Sequence, residues 1–125
     1  MLNAFLFNNS MKRLLDKRIF YAKNWLLNSG IQNLGGDTPV KGGFNAWYDL
    51  DKNNYFYTYS EITGYAITNL LYLYSLKKEE LLLDRAKLAA DWLIDMALHN
   101  LGAVRTRYYH DRKKADRNYS FERNI

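Results

Sequence analysis

The sequence of 125 residues contains no cysteine, one proline and only two histidines, His99 and His110. Without cysteine the chain can form neither a disulfide framework nor a thiolate metal site, and this favours a cytoplasmic protein. Neither histidine has neighbours at the spacing of zinc ligands. The sequence therefore predicts no metal site, and no pattern in it points to a cofactor.

Long apolar runs are also missing. Polar residues interrupt even the most hydrophobic stretch, ITGYAITNLLYLYSL at 62–76, and no run approaches the roughly 20 residues that cross a bilayer. The apolar AFLF near the N-terminus is shorter than a usual signal-peptide core and has no basic segment before it. We expect no membrane association and no export signal, with either Met1 or Met11 as the start residue.

Positive charge is concentrated towards the C-terminal end of the chain. The net charge is +5, and residues 105–125 contain seven Lys or Arg against three acids. A basic segment from Arg105 to Arg123 can hold an anionic partner such as RNA or an acidic polysaccharide, although a solvated loop is the commoner meaning. Hydrophobic residues make up 48% and aromatic residues 16%, which is enough to fold one domain.

An internal repeat organises the chain. With Trp25 aligned on Trp92, residues 15–35 and 82–102 share eight identities in 21 positions. AKNWLLN and AADWLID are then two copies of one amphipathic helix. The match continues from GGFNAWYD to AVRTRYYHD, in which Tyr48 meets Tyr109. A period of this length exceeds that of the short solenoid repeats, about 20 to 50 residues, and suits a helix pair with a long structured loop.

The pattern predicts five segments. They are an outer helix over about 11–28, a loop over 30–59, an inner helix over about 60–76, an outer helix over about 79–99 and a basic loop over 100–125. The inner helix is apolar on nearly every face and should be covered all round. The first loop contains a candidate β-ribbon, FNAWYD and YFYTY around the turn LDKNN, and its glycine pairs are interpreted as turns rather than a phosphate loop.

Three features carry a family resemblance: the aromatic loop, the entry YSEITGY into the inner helix, and the short turn to an outer helix containing AADWL. Over about residues 15–122 the chain resembles the repeats of α/α-toroid proteins, especially six-hairpin glycosidases and related sugar epimerases and lyases. The resemblance implies an all-α fold of antiparallel α-hairpin repeats forming a partial toroid. Because the chain stops where a second inner helix should begin, we expect a fragment that is inactive alone.

The resemblance also implies a saccharide site at the start of the inner helix. Glu61 and Asp49 are the candidate catalytic carboxylates, with Glu122 as another partner for Glu61. Glycoside hydrolysis usually needs two carboxylates about 5 to 10 Å apart. The candidate saccharide-binding residues are Trp47, Tyr48, Tyr59, Tyr65, Tyr109 and Tyr119.

Each candidate also has a structural interpretation. Glu61 can simply interact with the positive end of the helix dipole. The aromatic residues of the loop, 47–48, 55–57 and 59, can pack it onto the helices instead of stacking on sugar rings. Trp25 and Trp92 are expected to be packing residues.

The fold type alone does not specify a reaction. The sequence therefore leaves three hypotheses. The first is a piece of a glycosidase-like or other sugar-modifying enzyme that self-associates through its exposed inner-helix surface. The second is a binding module that uses the basic C-terminal segment on an anionic partner. The third is an interaction protein with no ligand.

Overall fold

The computed structural model describes residues 2–36, 38–99 and 104–110, with side chains described from Asn8 onward in the first helix and up to Leu98 in the last. The chain divides into two compact units, Met1–Gly30 and Ile31–Ile125. The first unit is the helix α1 (Leu2–Asn28). The second contains, in chain order, β1 (Asn45–Asp49), β2 (Asn54–Tyr59), α2 (Ser60–Lys77), α3 (Glu80–His99) and β3 (Arg107–Tyr109).

The expected all-α fold is wrong. The three strands form an antiparallel sheet in the order β1-β2-β3, so the protein is a mixed α/β structure of three helices and a small sheet. In the described part of the chain α2 and α3 make a single α-hairpin, and no repeated hairpin toroid is present. The physical reason is the density of aromatic residues in 45–49, 54–59 and 107–109, because such side chains favour extended pleated backbone when strands can pair.

The aromatic loop folds as the ribbon that its sequence pattern suggests. In the register of β1 and β2, Asn45 faces Thr58 and Asp49 faces Asn54. The turn between them is closed by the Asp49 carboxylate, whose Oδ1 accepts hydrogen bonds from the backbone N–H groups of Asp51 and Lys52, both at 3.0 Å. An aspartate that bonds to the backbone two residues on is a common turn device.

The α-hairpin supplies most of the apolar core. α2 ends where Lys78 adopts a left-handed conformation (φ 54°) and its N–H donates to the Tyr74 carbonyl at 2.8 Å. Ala66 and Leu70 of α2 are buried, as are residues at helical spacing on α3, namely Leu82, Ala86, Ala89, Trp92 and Met96. The opposite face of α2 is exposed, for example at Tyr65 and Tyr72.

The segment before β1 is anchored to α3. The buried side chain of Gln32 donates from Nε2 to the carbonyls of Gly42 and Arg85, both at 3.0 Å. The Trp92 indole N–H donates to the Pro39 carbonyl at 3.0 Å. Trp92 is therefore a packing residue as expected, whereas Trp25, on α1, is exposed.

α1 begins at Leu2 rather than near residue 11. The helix ends before Gly30, which has φ +79°, the left-handed conformation that glycine adopts after a helix. Within the described ranges, no helix has the length and apolarity needed to span a membrane.

A substitution at Gly43 can test how closely the first loop approaches the sheet. A Cβ at this position would meet the Thr58 methyl and lie 2.9 Å from the Trp92 ring, whereas a Cβ at Gly35 would meet nothing within 4 Å. We expect Gly43→Ala to lower the free energy of unfolding by about 1 to 3 kcal/mol, the usual cost of overpacking. Urea denaturation followed by circular dichroism measures it. Gly35→Ala is the matched control, and equal effects of the two substitutions would contradict this packing.

Candidate functional site

One face of the sheet is lined with tyrosines. Tyr57 at the centre of β2 pairs with Ala46 on β1 and with Tyr109 on β3. Directly paired residues of an antiparallel sheet share a face, and so do alternate residues of a strand. The shared face, here called the tyrosine face, comprises Ala46, Tyr48, Tyr55, Tyr57, Tyr59, Arg107 and Tyr109.

The rings of this face contact one another. Tyr57 lies 5.7 Å from Tyr59 and 5.4 Å from Tyr109 between ring centroids, and the Arg107 guanidinium lies 5.1 Å from the Tyr57 ring centre. Such edge and cation–π contacts hold the rings in defined orientations. Ala46 is the one small side chain among the residues of the tyrosine face, and it lies directly opposite Tyr57.

Exposure of the tyrosine face is intermediate. Tyr55, Tyr57, Tyr59 and Tyr109 are half-buried, and Tyr48 is exposed. Half-buried tyrosines present part of an apolar ring and a hydroxyl to solvent, which is the condition for contact with an amphipathic ligand.

A carboxylate lies where the tyrosine face meets α2. Glu61, in the first turn of α2, accepts a hydrogen bond from the Tyr59 hydroxyl at 2.7 Å on Oε2 and another from the Tyr65 hydroxyl at 3.2 Å on Oε1. The hydrogen bond to Glu61, with burial second, raises the pKa of Tyr59 to about 12. Glu61 also lies at the positive end of the helix dipole, so the structural interpretation of this residue applies as well.

The two candidate catalytic carboxylates are not brought together. Asp49 pairs with Asn54 at the turn end of the ribbon, and Glu61 follows Tyr59 at its other end. At about 3.4 Å per residue, the length of β2 places these ends about 17 Å apart. The Asp49 carboxylate is occupied in closing the turn, and it also contacts the Lys52 ammonium at 4.0 Å.

The other candidate site residues lie in different parts of the structure. Tyr48, Tyr59 and Tyr109 lie on the tyrosine face, and Tyr65 reaches its edge through Glu61. Trp47 is 74% exposed and has φ 62°, a left-handed conformation rare for an aromatic residue. Tyr119 and Glu122 lie outside the described residues, as does most of the basic segment.

Behind the tyrosine face lies a cluster of polar side chains that the sequence pattern did not reveal. It consists of Asn33, Asn45, Thr58 and His110, here called the polar cluster. The Thr58 hydroxyl donates to Asn45 Oδ1 at 3.0 Å, and Asn33 Nδ2 lies 2.9 Å from the same oxygen. His110 Nε2 lies 3.0 Å from Asn45 Oδ1 and 3.3 Å from Thr58 Oγ1. The cluster links the first loop to all three strands.

Local sequence gives no signal for the polar cluster, because its members are spread along the chain. The alternation of Tyr55, Tyr57 and Tyr59, in contrast, is a period-two signal that could have placed Tyr55 and Tyr57 beside the predicted residues. The sequence pattern predicts that Arg107 belongs to a basic loop, whereas the structure places it in β3, on the tyrosine face.

In the ranges that the structure describes, no group of three His, Asp or Glu side chains can hold a metal ion. Comparison of the chain with protein-family models, with curated proteins and with solved structures finds no match. The function must therefore be argued from the tyrosine face and Glu61 themselves.

The Glu61 contact can be tested by titration. Since this hydrogen bond is the main cause of the raised Tyr59 pKa, we expect Glu61→Gln to move that pKa from about 12 towards the ordinary value of 10. Carbon NMR of tyrosines labelled at Cζ measures it, with Tyr59→Phe identifying the resonance. An unchanged titration in the Gln variant would mean that Glu61 does not contact Tyr59 in solution.

Titration of His110 should make the free energy of unfolding depend on pH. Burial of the imidazole lowers the His110 pKa below its ordinary value of 6.5, so the unfolded chain takes up this proton at a higher pH than the folded chain. The free energy of unfolding should therefore fall as the pH is lowered through 6.5. Thermal unfolding between pH 8 and 5 measures this, and His110→Gln, which cannot titrate, should show a smaller loss. Parallel curves for the two proteins would contradict it.

Proposed function

We propose that this protein binds neutral saccharides on the tyrosine face, with Glu61 as a hydrogen-bond acceptor at its edge. The observation that carries the proposal is the contact between the tyrosine face and Glu61. Tyr59, a ring of the tyrosine face, donates its hydroxyl to Glu61 at 2.7 Å. Apolar rings and a fixed carboxylate are thus presented side by side.

A sugar ring can contact apolar rings and a carboxylate at the same time. A pyranose ring has apolar C–H faces that pack on aromatic rings, while its edge carries hydroxyl groups that need hydrogen-bond partners. A carboxylate is a strong acceptor for such hydroxyls, and charge-assisted hydrogen bonds are about twice as strong as neutral ones. Ala46, which is paired with Tyr57 and lies two residues from Tyr48, is the one position of the tyrosine face without a large side chain, and we propose that a sugar ring packs over it.

The proposal is binding without cleavage. Hydrolysis of a glycosidic bond usually needs two carboxylates about 5 to 10 Å apart. Asp49 lies at the far end of the ribbon, where it closes the turn. Both carboxylate oxygens of Glu61 already accept hydrogen bonds, one from the Tyr59 hydroxyl and one from the Tyr65 hydroxyl.

A second candidate function is binding of an anionic chain such as single-stranded nucleic acid. The placement of the Arg107 guanidinium 5.1 Å from the Tyr57 ring and 5.7 Å from the Tyr59 ring favours it, because bases stack on aromatic rings and on arginine. The net charge of +5 agrees with such a ligand. Glu61 argues against it, since a carboxylate beside the same rings would repel phosphates.

Affinity electrophoresis of the full chain tests the proposal. The probes are four neutral polysaccharides (xyloglucan, glucomannan, mixed-linkage β-glucan and soluble starch) together with polygalacturonate and oligo-dT. We expect retardation by at least one neutral polysaccharide that persists when salt is raised. Ala46→Leu should abolish this retardation, because it places a large side chain beside Tyr57 and leaves every tyrosine of the tyrosine face in the sequence.

Tyr21→Leu is the control, since Tyr21 is an exposed tyrosine of α1 outside the tyrosine face. Thermal unfolding of each variant separates lost binding from lost folding. No retardation by any neutral polysaccharide would refute the proposal. Retardation by oligo-dT or polygalacturonate that disappears with salt would establish the anionic alternative instead.

A further inference from the structure

The exposed side of α2 carries a row of side chains that begins at Glu61. Tyr65 and Tyr72 follow at spacings of four and seven residues, which returns each of them to the same side of a helix. Tyr65 is 60% exposed and Tyr72 is 62% exposed, whereas the opposite side of α2 carries the buried Leu70. Exposed tyrosines therefore extend along α2.

This row is continuous with the tyrosine face. Glu61 bonds to Tyr59 of the sheet through one carboxylate oxygen and to Tyr65 of α2 through the other. Glu61 therefore joins the Tyr59 ring of the sheet to the Tyr65 ring of α2, and the row of exposed tyrosines continues from there along the helix to Tyr72. The two parts together are here called the tyrosine track: the tyrosine face, Glu61, Tyr65 and Tyr72.

The length of the track sets the size of the ligand. β2 contributes about 17 Å at about 3.4 Å per residue. The eleven steps from Glu61 to Tyr72 add about 16 Å at about 1.5 Å per residue of helix. Measured along β2 and then along α2, this row of rings extends over about 30 Å and is longer than one or two sugar rings, so it suits an extended chain with several repeating units.

The charge of the track sets the chemistry of the ligand. Its members include one carboxylate, Glu61, and one guanidinium, Arg107, so the track itself is neutral although the chain carries a net charge of +5. Phenol rings and hydroxyls make up the rest. A neutral, hydroxyl-rich polymer matches this surface better than a polyanion does.

We propose that the tyrosine track binds a linear neutral polysaccharide along its length, the strands contacting one part of the chain and α2 the next. This inference rests on the proposed function of the tyrosine face and adds the helix as a second binding segment. Two weak segments that engage one polymer increase the affinity for long chains without any change in the affinity for short ones.

Isothermal titration calorimetry with oligosaccharides of increasing length tests the inference. The probes are the disaccharide, tetrasaccharide and octasaccharide of whichever of the four neutral polysaccharides retards the chain. We expect the octasaccharide to bind more tightly than the tetrasaccharide. Tyr72→Ala should weaken octasaccharide binding about two- to tenfold, as loss of one aromatic contact implies, and leave the tetrasaccharide unaffected. Ala46→Leu should weaken both.

Tyr21→Ala is the matched control, because it removes an equally exposed helical tyrosine outside the track. If Tyr72→Ala leaves octasaccharide affinity unchanged while Ala46→Leu abolishes it, the helix is no part of the site and this inference is overturned, although the proposed function stands. If no neutral oligosaccharide binds, both fail. Sedimentation equilibrium tests whether a second copy of the chain binds to the tyrosine track instead. A dimer that dissociates in the Tyr72→Ala variant would assign the track to that second copy and overturn the inference.

Discussion

The sheet depends on hydrogen bonding around one buried hydroxyl, that of Thr58. This side chain is fully buried, next to the last residue of β2. Its hydroxyl bonds to Asn45 of β1 and lies within 3.3 Å of His110, the residue after β3, so it ties the central strand to both neighbours. A buried hydroxyl without partners costs about 1 to 3 kcal/mol, and the strands are therefore held in the one register that satisfies it.

The orientation of the tyrosines follows from that constraint. Side chains alternate across a strand, so a Thr58 that points inward forces Tyr57 and Tyr59 to point outward. The absence of a Cβ at Gly43 lets the first loop lie against Thr58, and this closes the inner side of the sheet. The surface for which we propose saccharide binding is thus the outer side of a polar interior, and it depends on residues that a ligand would never touch.

Much of this arrangement is readable from the sequence, and the part that is not has a physical cause. The ribbon, the turn into α3 and the packing role of Trp92 follow from local patterns, which report alternation, helical spacing and helix ends. β3 has only three residues and carries no periodic signal of its own. The alignment of Tyr48 with Tyr109 predicts a repeated loop, whereas in the structure the two matching segments are the outer strands of one sheet. The polar cluster joins residues 25 and 52 positions apart, a separation at which sequence periodicity says nothing.

The backbone conformation of Trp47 affects how readily another chain can pair with the edge of the sheet. β1 is an outer strand of the sheet, and a regular outer strand offers unpaired backbone groups to which another chain can add. The left-handed φ of 62° at Trp47 falls in the middle of β1, between the paired residues Ala46 and Tyr48. It breaks the even row of donors and acceptors on that side. The opposite edge, β3, has only three residues, so neither edge of the described sheet offers another chain a long, regular strand to pair with.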